Sequence, residues 1–303
     1  MSKALITGIN GFTGRYVSLE LQRAGYDIFG ISHSSTCEMP GVKSIYTGDL
    51  NNTDQITQII QAVQPDVVVH LGAITFVAHG DIDAIYRTNV FGTRCLLEAL
   101  VTAGKSVKTV LLASSANVYG NAQGGLLPES TPFAPTNDYA VSKVAMEYVA
   151  QLYKPRLPVI VVRPFNYTGI GQAEHFLIPK IVGHYAKRKA IIELGNLDVA
   201  RDFSDVRTVA SIYKKLLETP QAIDGVFNIC SGKSYTLLEV IGLMNKIAGY
   251  NIEVRVNPDF VRANEVKVLQ GDRKHLDDII GAIEDIPLET TLRWMFDEAV
   301  ARA

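Results

Sequence analysis

A serine, a tyrosine and a lysine are placed along this chain as a proton-transfer site requires. Tyr139 and Lys143 lie four positions apart, and Ser115 precedes them. Because residues i and i+4 share one face of a helix, the Lys143 charge is expected beneath the Tyr139 ring. A nearby cation favours the phenolate and lowers the pKa of a tyrosine, which would allow proton exchange with a carbonyl oxygen near neutral pH. The pattern is common, so an exposed Tyr-Lys pair on a solvated helix is the alternative if nothing else supports it.

The N-terminus supplies that support, because it has the pattern of a dinucleotide site. A short apolar strand, Lys3 to Thr7, is followed by spaced glycines and then by an amphipathic helix. Glycines let the backbone approach a pyrophosphate, and the free N–H groups and dipole of the helix N-terminus attract its charge. The residues predicted to bind cofactor here are Gly8, Asn10, Gly11, Phe12, Thr13 and Gly14.

The end of the second strand bears on the choice of cofactor. The predicted strand from Tyr26 to Ile31 ends in Ser32-His33-Ser34-Ser35, without the carboxylate that normally binds the ribose of NAD at this position. Hydroxyls and an imidazole tolerate a 2′-phosphate better than a carboxylate does. NADP(H) is therefore favoured, with Ser32 and His33 as contacts. NAD(H) stays possible because no arginine in this segment can clamp the phosphate.

Apolar strands alternate with helices along the first two thirds of the chain. This alternation predicts an α/β fold with a parallel, doubly wound sheet of the Rossmann type. Thr236 and Glu239 form a capping box that predicts the start of a later helix. Further strands are predicted at 44–47, 66–70, 109–113, 158–162 and 226–229, and helices at 53–63, 81–104, 138–154 and 205–218.

Composition excludes several classes of partner and site. The 29 basic and 31 acidic residues nearly balance, so neither nucleic acid nor an anionic membrane is expected as a partner. Cys37, Cys95 and Cys230 lie far apart, which predicts a reducing, cytoplasmic location and no metal site. The chain opens directly on a strand, so no signal peptide is expected. No apolar run approaches the ~18 residues of a membrane helix.

Together these motifs resemble those of the extended short-chain dehydrogenase/reductase family. The resemblance rests on the glycine turn, the Ser115, Tyr139 and Lys143 set, and motifs at Asp49 and Asn89. It implies that Asp49 contacts the adenine and that Asn89 organises the active site. The further cofactor-binding positions that it implies are Leu50, Leu71, Gly72, Ala73, Asn89, Tyr139 and Lys143.

The same resemblance implies two lobes and a dimer. Residues 1–163 and 205–229 are expected to form the Rossmann domain, and residues 164–204 and 230–303 a smaller, C-terminal sugar-nucleotide lobe. The helices at 81–104 and 138–154 form the dimer interface in many relatives, so a homodimer is expected.

The stretch after Ser115 restricts the chemistry. Sugar-nucleotide dehydratases of this family carry an acid and a base there, whereas this chain has Ala116 and Asn117. Neither side chain can carry the protons of a dehydration. Hydride transfer at a sugar carbonyl, with Tyr139 as the proton donor, is what the residues still permit.

The substrate segments resemble the GDP-mannose 4,6-dehydratase branch, and more closely its reductases. The segments are Asn166 to Gln172, with Tyr167 in place of a usual histidine, Gly195 to Asp198, and Arg201-Asp202-Phe203. The segment from Arg163 to Asn166 also resembles one that grips the diphosphate. The implied substrate-binding residues are Asn166, Lys180, Arg201 and Arg262, with Glu265 on the ribose.

The resulting expectation is NADPH-dependent reduction of the C4 keto group of a GDP-6-deoxy-4-keto-hexose, forming GDP-D-rhamnose from GDP-6-deoxy-D-lyxo-4-hexulose. Two alternatives stay open. One is a sugar-nucleotide 4-epimerase with tightly bound NAD(H), and the other is a non-catalytic, dinucleotide-sensing relative.

Overall fold

The computed structural model describes residues 1–34, 39–75, 80–104, 106–122, 125–261 and 266–302. Its strands are β1 (Lys3–Thr7), β2 (Asp27–Ser32), β3 (Val42–Thr47), β4 (Val67–His70), β5 (Thr109–Ala113), β6 (Val159–Pro164), β7 (Asn166–Thr168), β8 (Ile191–Leu194), β9 (Ala200–Asp205), β10 (Val226–Ile229), β11 (Ser234–Thr236), β12 (Glu253–Val256) and β13 (Val268–Leu269). Its α-helices are α1 (Phe12–Arg23), α2 (Thr53–Val63), α3 (Ile82–Tyr86), α4 (Thr93–Thr102), α5 (Asp138–Tyr153), α6 (Leu177–Ala186), α7 (Val206–Glu218), α8 (Leu237–Ala248), α9 (Lys274–Ile280) and α10 (Leu288–Ala301).

The main sheet is parallel and doubly wound, as predicted. Within the described ranges its strand order is β10-β6-β5-β4-β1-β2-β3. Helices α1 and α7 pack on one face of the sheet, and α2, α4 and α5 pack on the other. The strand order reverses between β1 and β4, and ligands bind in such sheets at the carboxyl ends of the strands beside that reversal. The fold therefore places a binding cleft after Thr7 and His70.

The chain beyond β6 builds a second, smaller core. Strand β9 pairs with β7, β11 and β13, while β8 pairs with β12. Apolar side chains of α6, α8 and α10 pack together beside these strands. Helix α7 and strand β10 return to the main sheet. The exact lobe boundaries given above stay a prediction.

The helix predicted at 81–104 has an interruption that the sequence did not indicate. Between α3 and α4 the backbone forms a π-helical turn over Arg87–Gly92, which contains Asn89. Such turns insert one extra residue into a helix and are often found at functional sites. The turn lies beside α5, the helix that carries Tyr139 and Lys143.

Candidate active site

The glycine turn after β1 fits a pyrophosphate group. Gly8 has φ +68°, and a Cβ at this position would lie 2.9 Å from the Gly72 nitrogen. A Cβ on Gly14 would lie 2.4 Å from the Gly8 carbonyl oxygen. Helix α1 starts with Gly11 as its N-cap and has no side-chain cap. Its first N–H groups, which lack partners within the helix, are therefore left to a bound anion.

A cavity of about 300 Å³ joins this turn to the carboxyl ends of β4, β5 and β6. It brings together residues that lie up to 261 positions apart, from Gly8 to Leu269. The predicted site residues in its wall are Gly8, Gly11, Phe12, Thr13, Gly14, Leu71, Ala73, Ser115, Tyr139, Lys143 and Asn166. The other predicted residues that the structure describes lie outside this wall and are placed below.

Tyr139 lies in the first turn of α5, which Asn137 caps by accepting a hydrogen bond from the Ala140 N–H. Only 7% of Tyr139 is exposed, and this burial raises the pKa of the phenol to about 12, against a smaller lowering by the hydrogen bond with Ser115. The expectation of a lowered pKa is therefore wrong, because the effect of burial outweighs that of the neighbouring groups. Tyr139 is a protonated phenol at neutral pH.

Lys143 is held at the end of β5. Its Nζ donates to the Ala113 carbonyl oxygen at 2.8 Å and lies 6.0 Å from the centre of the Tyr139 ring. Burial lowers the pKa of Lys143 to about 8, and the charge of Glu147 opposes this shift. The ammonium is thus the dominant form at neutral pH and begins to lose its proton just above it.

The described wall of the cavity contains no aspartate or glutamate. Ala116 is buried, and Asn117 presents a neutral amide while its N–H donates to the Ser115 hydroxyl at 3.1 Å. The two positions that carry an acid and a base in dehydratases therefore face the cavity without either group. Among the described residues there is also no cluster of three or more His, Cys, Asp or Glu side chains that would hold a metal.

Asn89 stands behind the cavity wall rather than in it. Its amide accepts from the Ile74 N–H at 2.9 Å and donates to the Ile74 carbonyl and the Ser142 hydroxyl, both at 3.0 Å. Ser142 lies on α5 between Tyr139 and Lys143. Asn89 therefore ties the segment after β4 to the catalytic helix. The predicted cofactor contact of Asn89 is untested, and the described contacts support an organising part.

His70 belongs to the same buried network, which the sequence did not indicate. Burial, with a smaller effect of Lys143, lowers the pKa of His70 to about 3, so the ring is neutral. Its two nitrogens contact the hydroxyls of Thr7 at 2.7 Å and Thr93 at 2.9 Å. Thr7 also accepts from the Gly72 N–H at 3.0 Å. The network fixes the backbone on both sides of the strand-order reversal.

At the end of β2, where the ribose of the cofactor is expected, the Ser32 hydroxyl is not available to donate to a ligand. It is buried, its hydroxyl accepts from the Asn10 amide at 2.8 Å, and it donates to the Ser34 carbonyl at 3.1 Å. His33 is exposed. The structure adds an arginine here: exposed Arg15 donates from Nε to the Asn10 carbonyl at 3.2 Å. The segment after β2 has no arginine, whereas Arg15 reaches this region from α1.

Asp49 and Leu50 follow β3 near the same end. The Asp49 carboxylate accepts from the backbone and side-chain amides of Asn51 at 2.9 and 3.0 Å and stays exposed. Leu50 is half-buried, and a Cβ on Gly72 would lie 2.8 Å from its Cδ1. Leu50 therefore packs closely against Gly72 beside the cleft.

The predicted substrate residues are only partly brought together. Asn166 lies in the cavity wall. Lys180 lies on α6, where Nζ donates to the Glu193 carbonyl at 2.9 Å and lies 4.3 Å from the centre of the Phe260 ring. Arg201 donates to the Ala200 carbonyl and is paired in register with Leu269, which lines the cavity. Arg262 and Glu265 lie outside the described residues.

Arg163 opens the segment that resembles a diphosphate-binding one, and its guanidinium is bound inside the protein. It is 5% exposed, and its guanidinium forms a two-point ion pair with Glu147 at 2.9 and 2.7 Å. A third hydrogen bond goes to the Tyr119 hydroxyl at 2.9 Å. Burial works against the charge, but the bonds to Glu147 outweigh it and raise the pKa of Arg163. These hydrogen bonds of the guanidinium therefore go to other side chains of this protein.

Tyr167 lies in the cavity wall and contacts the glycine turn, which the sequence did not indicate. Its hydroxyl lies 2.7 Å from the Thr13 hydroxyl, and its ring stacks on Phe12 with centroids 6.0 Å apart. It lines the cavity beside Asn166 and Gln172. The only signal in the sequence was a tyrosine where the family usually has a histidine. The glycine turn and the substrate segment are therefore in direct contact.

This fold and this site define an NAD(P)-dependent oxidoreductase of the extended short-chain dehydrogenase/reductase class. Residues 5–295 match the family model of GDP-mannose 4,6 dehydratase, and the chain belongs to that family. A nicotinamide dinucleotide is supported as the cofactor, because a similar solved structure described below holds NADPH.

Two relatives are similar over almost the whole chain. The GDP-6-deoxy-D-talose 4-dehydrogenase of Aggregatibacter actinomycetemcomitans is 33% identical over 92% of this chain and 91% of its own length. The GDP-6-deoxy-D-mannose reductase of Pseudomonas aeruginosa is 33% identical over 99% of this chain and 98% of its own length.

Two solved structures share the fold. A candidate epimerase from Burkholderia cenocepacia has a TM-score of 0.94 at 46% identity and covers 99% of this chain and 98% of its own. RMD from Pseudomonas aeruginosa in complex with NADPH has a TM-score of 0.87 at 29% identity and covers 100% of both chains.

Proposed function

We propose that this protein reduces the C4 keto group of a GDP-6-deoxy-4-keto-hexose with NADPH and forms GDP-D-rhamnose. The observation that carries the proposal is the protonated Tyr139, beside Ser115 and Lys143, in a cavity whose described wall has no carboxylate. A protonated phenol is ready to give a proton to a carbonyl oxygen. The two relatives named above act on GDP-6-deoxy-hexoses.

The residues divide the reaction between them. NADPH held on the glycine turn from Gly8 to Gly14 would supply the hydride that adds to C4. Tyr139 gives its proton to the carbonyl oxygen as that oxygen gains charge, and the Ser115 hydroxyl donates a hydrogen bond to the same oxygen. The Lys143 ammonium stabilises the phenolate that Tyr139 becomes. The product is the carbinol, and the phenol is restored by a proton from solvent.

The dehydratase reaction that gives the family its name is expected to be absent. With GDP-mannose and NADP⁺, mass spectrometry should find no product lighter by one water, because Ala116 and Asn117 cannot titrate. With GDP-6-deoxy-4-keto-D-mannose, one NADPH should be consumed for each carbinol formed, and NMR of the product should give the rhamno configuration at C4.

Each alternative has a different outcome in these assays. A 4-epimerase would interconvert sugar nucleotides without net consumption of NADPH, and a dinucleotide sensor would bind cofactor without turnover. The opposite configuration at C4 would make the product GDP-6-deoxy-D-talose. Loss of water from GDP-mannose would contradict the proposed chemistry.

We infer a preference for NADPH, and Arg15 supports it. This exposed cation is hydrogen-bonded to Asn10, whose side chain holds Ser32 at the end of β2. Arg15→Ala should lower kcat/KM for NADPH but not for NADH, and Ser32→Asp should push the preference towards NADH by repelling a 2′-phosphate. Arg23→Ala, at the far end of α1, is the matched control. A wild-type preference for NADH would contradict the inference.

The nucleotide of the substrate is expected to be GDP. Free GDP should compete with the sugar nucleotide and bind at least about tenfold more tightly than UDP. Arg262→Ala should weaken GDP binding by about tenfold or more, because a charged hydrogen bond to a diphosphate contributes roughly 1.5–3 kcal/mol. The same variant should bind NADPH normally. Tighter binding of UDP or dTDP would assign the protein to a different sugar nucleotide.

The homodimer and the cytoplasmic location stay predictions. Large apolar side chains on and beside the two helices of the expected interface are exposed, which supports the homodimer; they are Ile82, Phe91, Val141, Tyr148 and Leu152. As far as the structure describes the chain, no helix is long and apolar enough to span a membrane.

A further inference from the structure

Glu147 is a buried carboxylate that lies one helical turn beyond Lys143 on α5 and does not line the cavity. Only 4% of it is exposed. One carboxylate oxygen accepts from the Ser114 hydroxyl at 2.5 Å and from Arg163 Nε at 2.9 Å, and the other accepts from Arg163 Nη2 at 2.7 Å. Every one of these contacts is inside the protein, so Glu147 can affect the reaction only through its neighbours.

Ser114 connects Glu147 to two atoms of the proton-transfer site. It follows Ala113, whose carbonyl oxygen accepts the Lys143 Nζ bond, and it precedes Ser115, which bonds to Tyr139. The backbone N–H of Ser114 donates to the Val162 carbonyl at 2.7 Å. The strand end is thus held to β6 by its backbone and to α5 by the Ser114 side chain. The Glu147 bond completes this support.

The second connection is electrostatic. On its own helix Lys143 faces Tyr139, which is a neutral phenol, and Glu147. From β4 it faces His70, which is neutral, and the nearest cation on β6, Arg163, is paired with Glu147. From β5 it contacts only the Ala113 carbonyl among the described hydrogen bonds. Glu147 is therefore the carboxylate that supports the ammonium against the effect of burial.

We propose that Glu147 is a positioning residue of the proton-transfer site, which acts through Ser114 on the geometry of Ala113 and Ser115 and through its charge on Lys143. The inference rests on the proposed roles of Tyr139 and Lys143, but it does not depend on which sugar is reduced. Two separate effects follow. One is on the placement of Ala113 and Ser115, which Ser114→Ala tests, and the other is on the ionisation of Lys143, which Glu147→Gln tests.

The test for the charge is the pH dependence of NADPH affinity, measured by fluorescence titration without sugar from about pH 6 to about pH 10. Lys143 lines the cavity, so loss of its charge should weaken NADPH binding with a midpoint near 8 in the wild type. In Glu147→Gln the midpoint should fall by about one pH unit or more, because a nearby carboxylate favours the ammonium.

The test for the geometry is Ser114→Ala, which removes one hydrogen bond and leaves the ion pair and the charge of Glu147 in place. Here the pH midpoint should stay at its wild-type value while kcat falls by about 3- to 10-fold. A merely structural role for Glu147 would not produce this split between the two variants. Asp138→Asn, which removes another carboxylate from the same helix, is the matched control and should move neither quantity.

A folded Glu147→Gln protein whose midpoint stays at the wild-type value would overturn the proposal, as would an equal shift in Asp138→Asn. If Glu147→Gln does not fold, the double variant Glu147→Gln/Arg163→Gln removes both charges, and its midpoint should still fall, by a smaller amount. Since binding is measured without sugar, absence of turnover with the proposed ketone would count against the proposed function only.

Discussion

Tyr139→Phe is expected to lower kcat by about 10²- to 10⁴-fold and to leave NADPH affinity near the wild-type value. The variant lacks only the phenolic hydroxyl, and a positioned general acid contributes a factor of that size. The ring remains buried in the first turn of α5, so the helix and the cavity wall should be preserved. Single-turnover rates and NADPH fluorescence titrations measure the two quantities separately.

Tyr213→Phe is the matched control for this substitution. Tyr213 is also buried, and Tyr139 lies close enough to contribute to its raised pKa, but Tyr213 does not line the cavity. Its hydroxyl is buried without a hydrogen-bond partner in the described structure, so its removal should leave turnover unchanged and stability equal or slightly higher. Near-normal turnover by Tyr139→Phe would remove Tyr139 from the mechanism.

The pH dependence of catalysis should show one group near neutrality. Reduction needs Tyr139 protonated, and its pKa of about 12 keeps it so throughout the usual range. Lys143, with a pKa of about 8, loses its charge first as the pH rises. The decline of activity above about pH 8 should therefore follow the loss of the Lys143 charge. The carboxylate of Glu147 bears on this decline because it favours the charged form of Lys143.

Local patterns predicted the elements that carry the site. The strand, glycine turn and helix at residues 3–23 follow one another directly in the sequence, and each was predictable from residue types. The capping box at Thr236 and Glu239 is present for the same reason. The spacing of Tyr139 and Lys143 predicted that they share a helix face, and the structure places both in the cavity wall.

What the sequence could not reveal depends on distant partners or on burial. Helix α6 was not predicted; its Pro179 lies in the first turn, where a proline is tolerated. The π turn at Asn89 is a shift in backbone hydrogen bonding that residue types do not record. The pKa of Tyr139 was misjudged because the pattern shows the neighbouring cation but not the depth of burial.

Arg163 is the clearest case of a residue whose type indicated one role while its partners impose another. The segment from Arg163 to Asn166 resembles one that grips a diphosphate in the family. The pairing of β5 with β6 and the packing of α5 place Glu147 against its guanidinium instead. With both side chains almost fully buried, at 6% and 5% exposure, the pair is a structural unit behind the catalytic helix.

Arg163→Met is therefore expected to destabilise the protein by about 3–5 kcal/mol, because it leaves the Glu147 carboxylate buried and unpaired. The double variant Arg163→Met/Glu147→Leu should recover most of that loss, since no charge is then left alone in the interior. Urea unfolding of the wild type, both variants and Arg255→Met measures the difference. Arg255 pairs with Glu253 on the surface, so its replacement should leave stability within error. If Arg163 bound substrate instead, Arg163→Met would keep wild-type stability and lose GDP affinity.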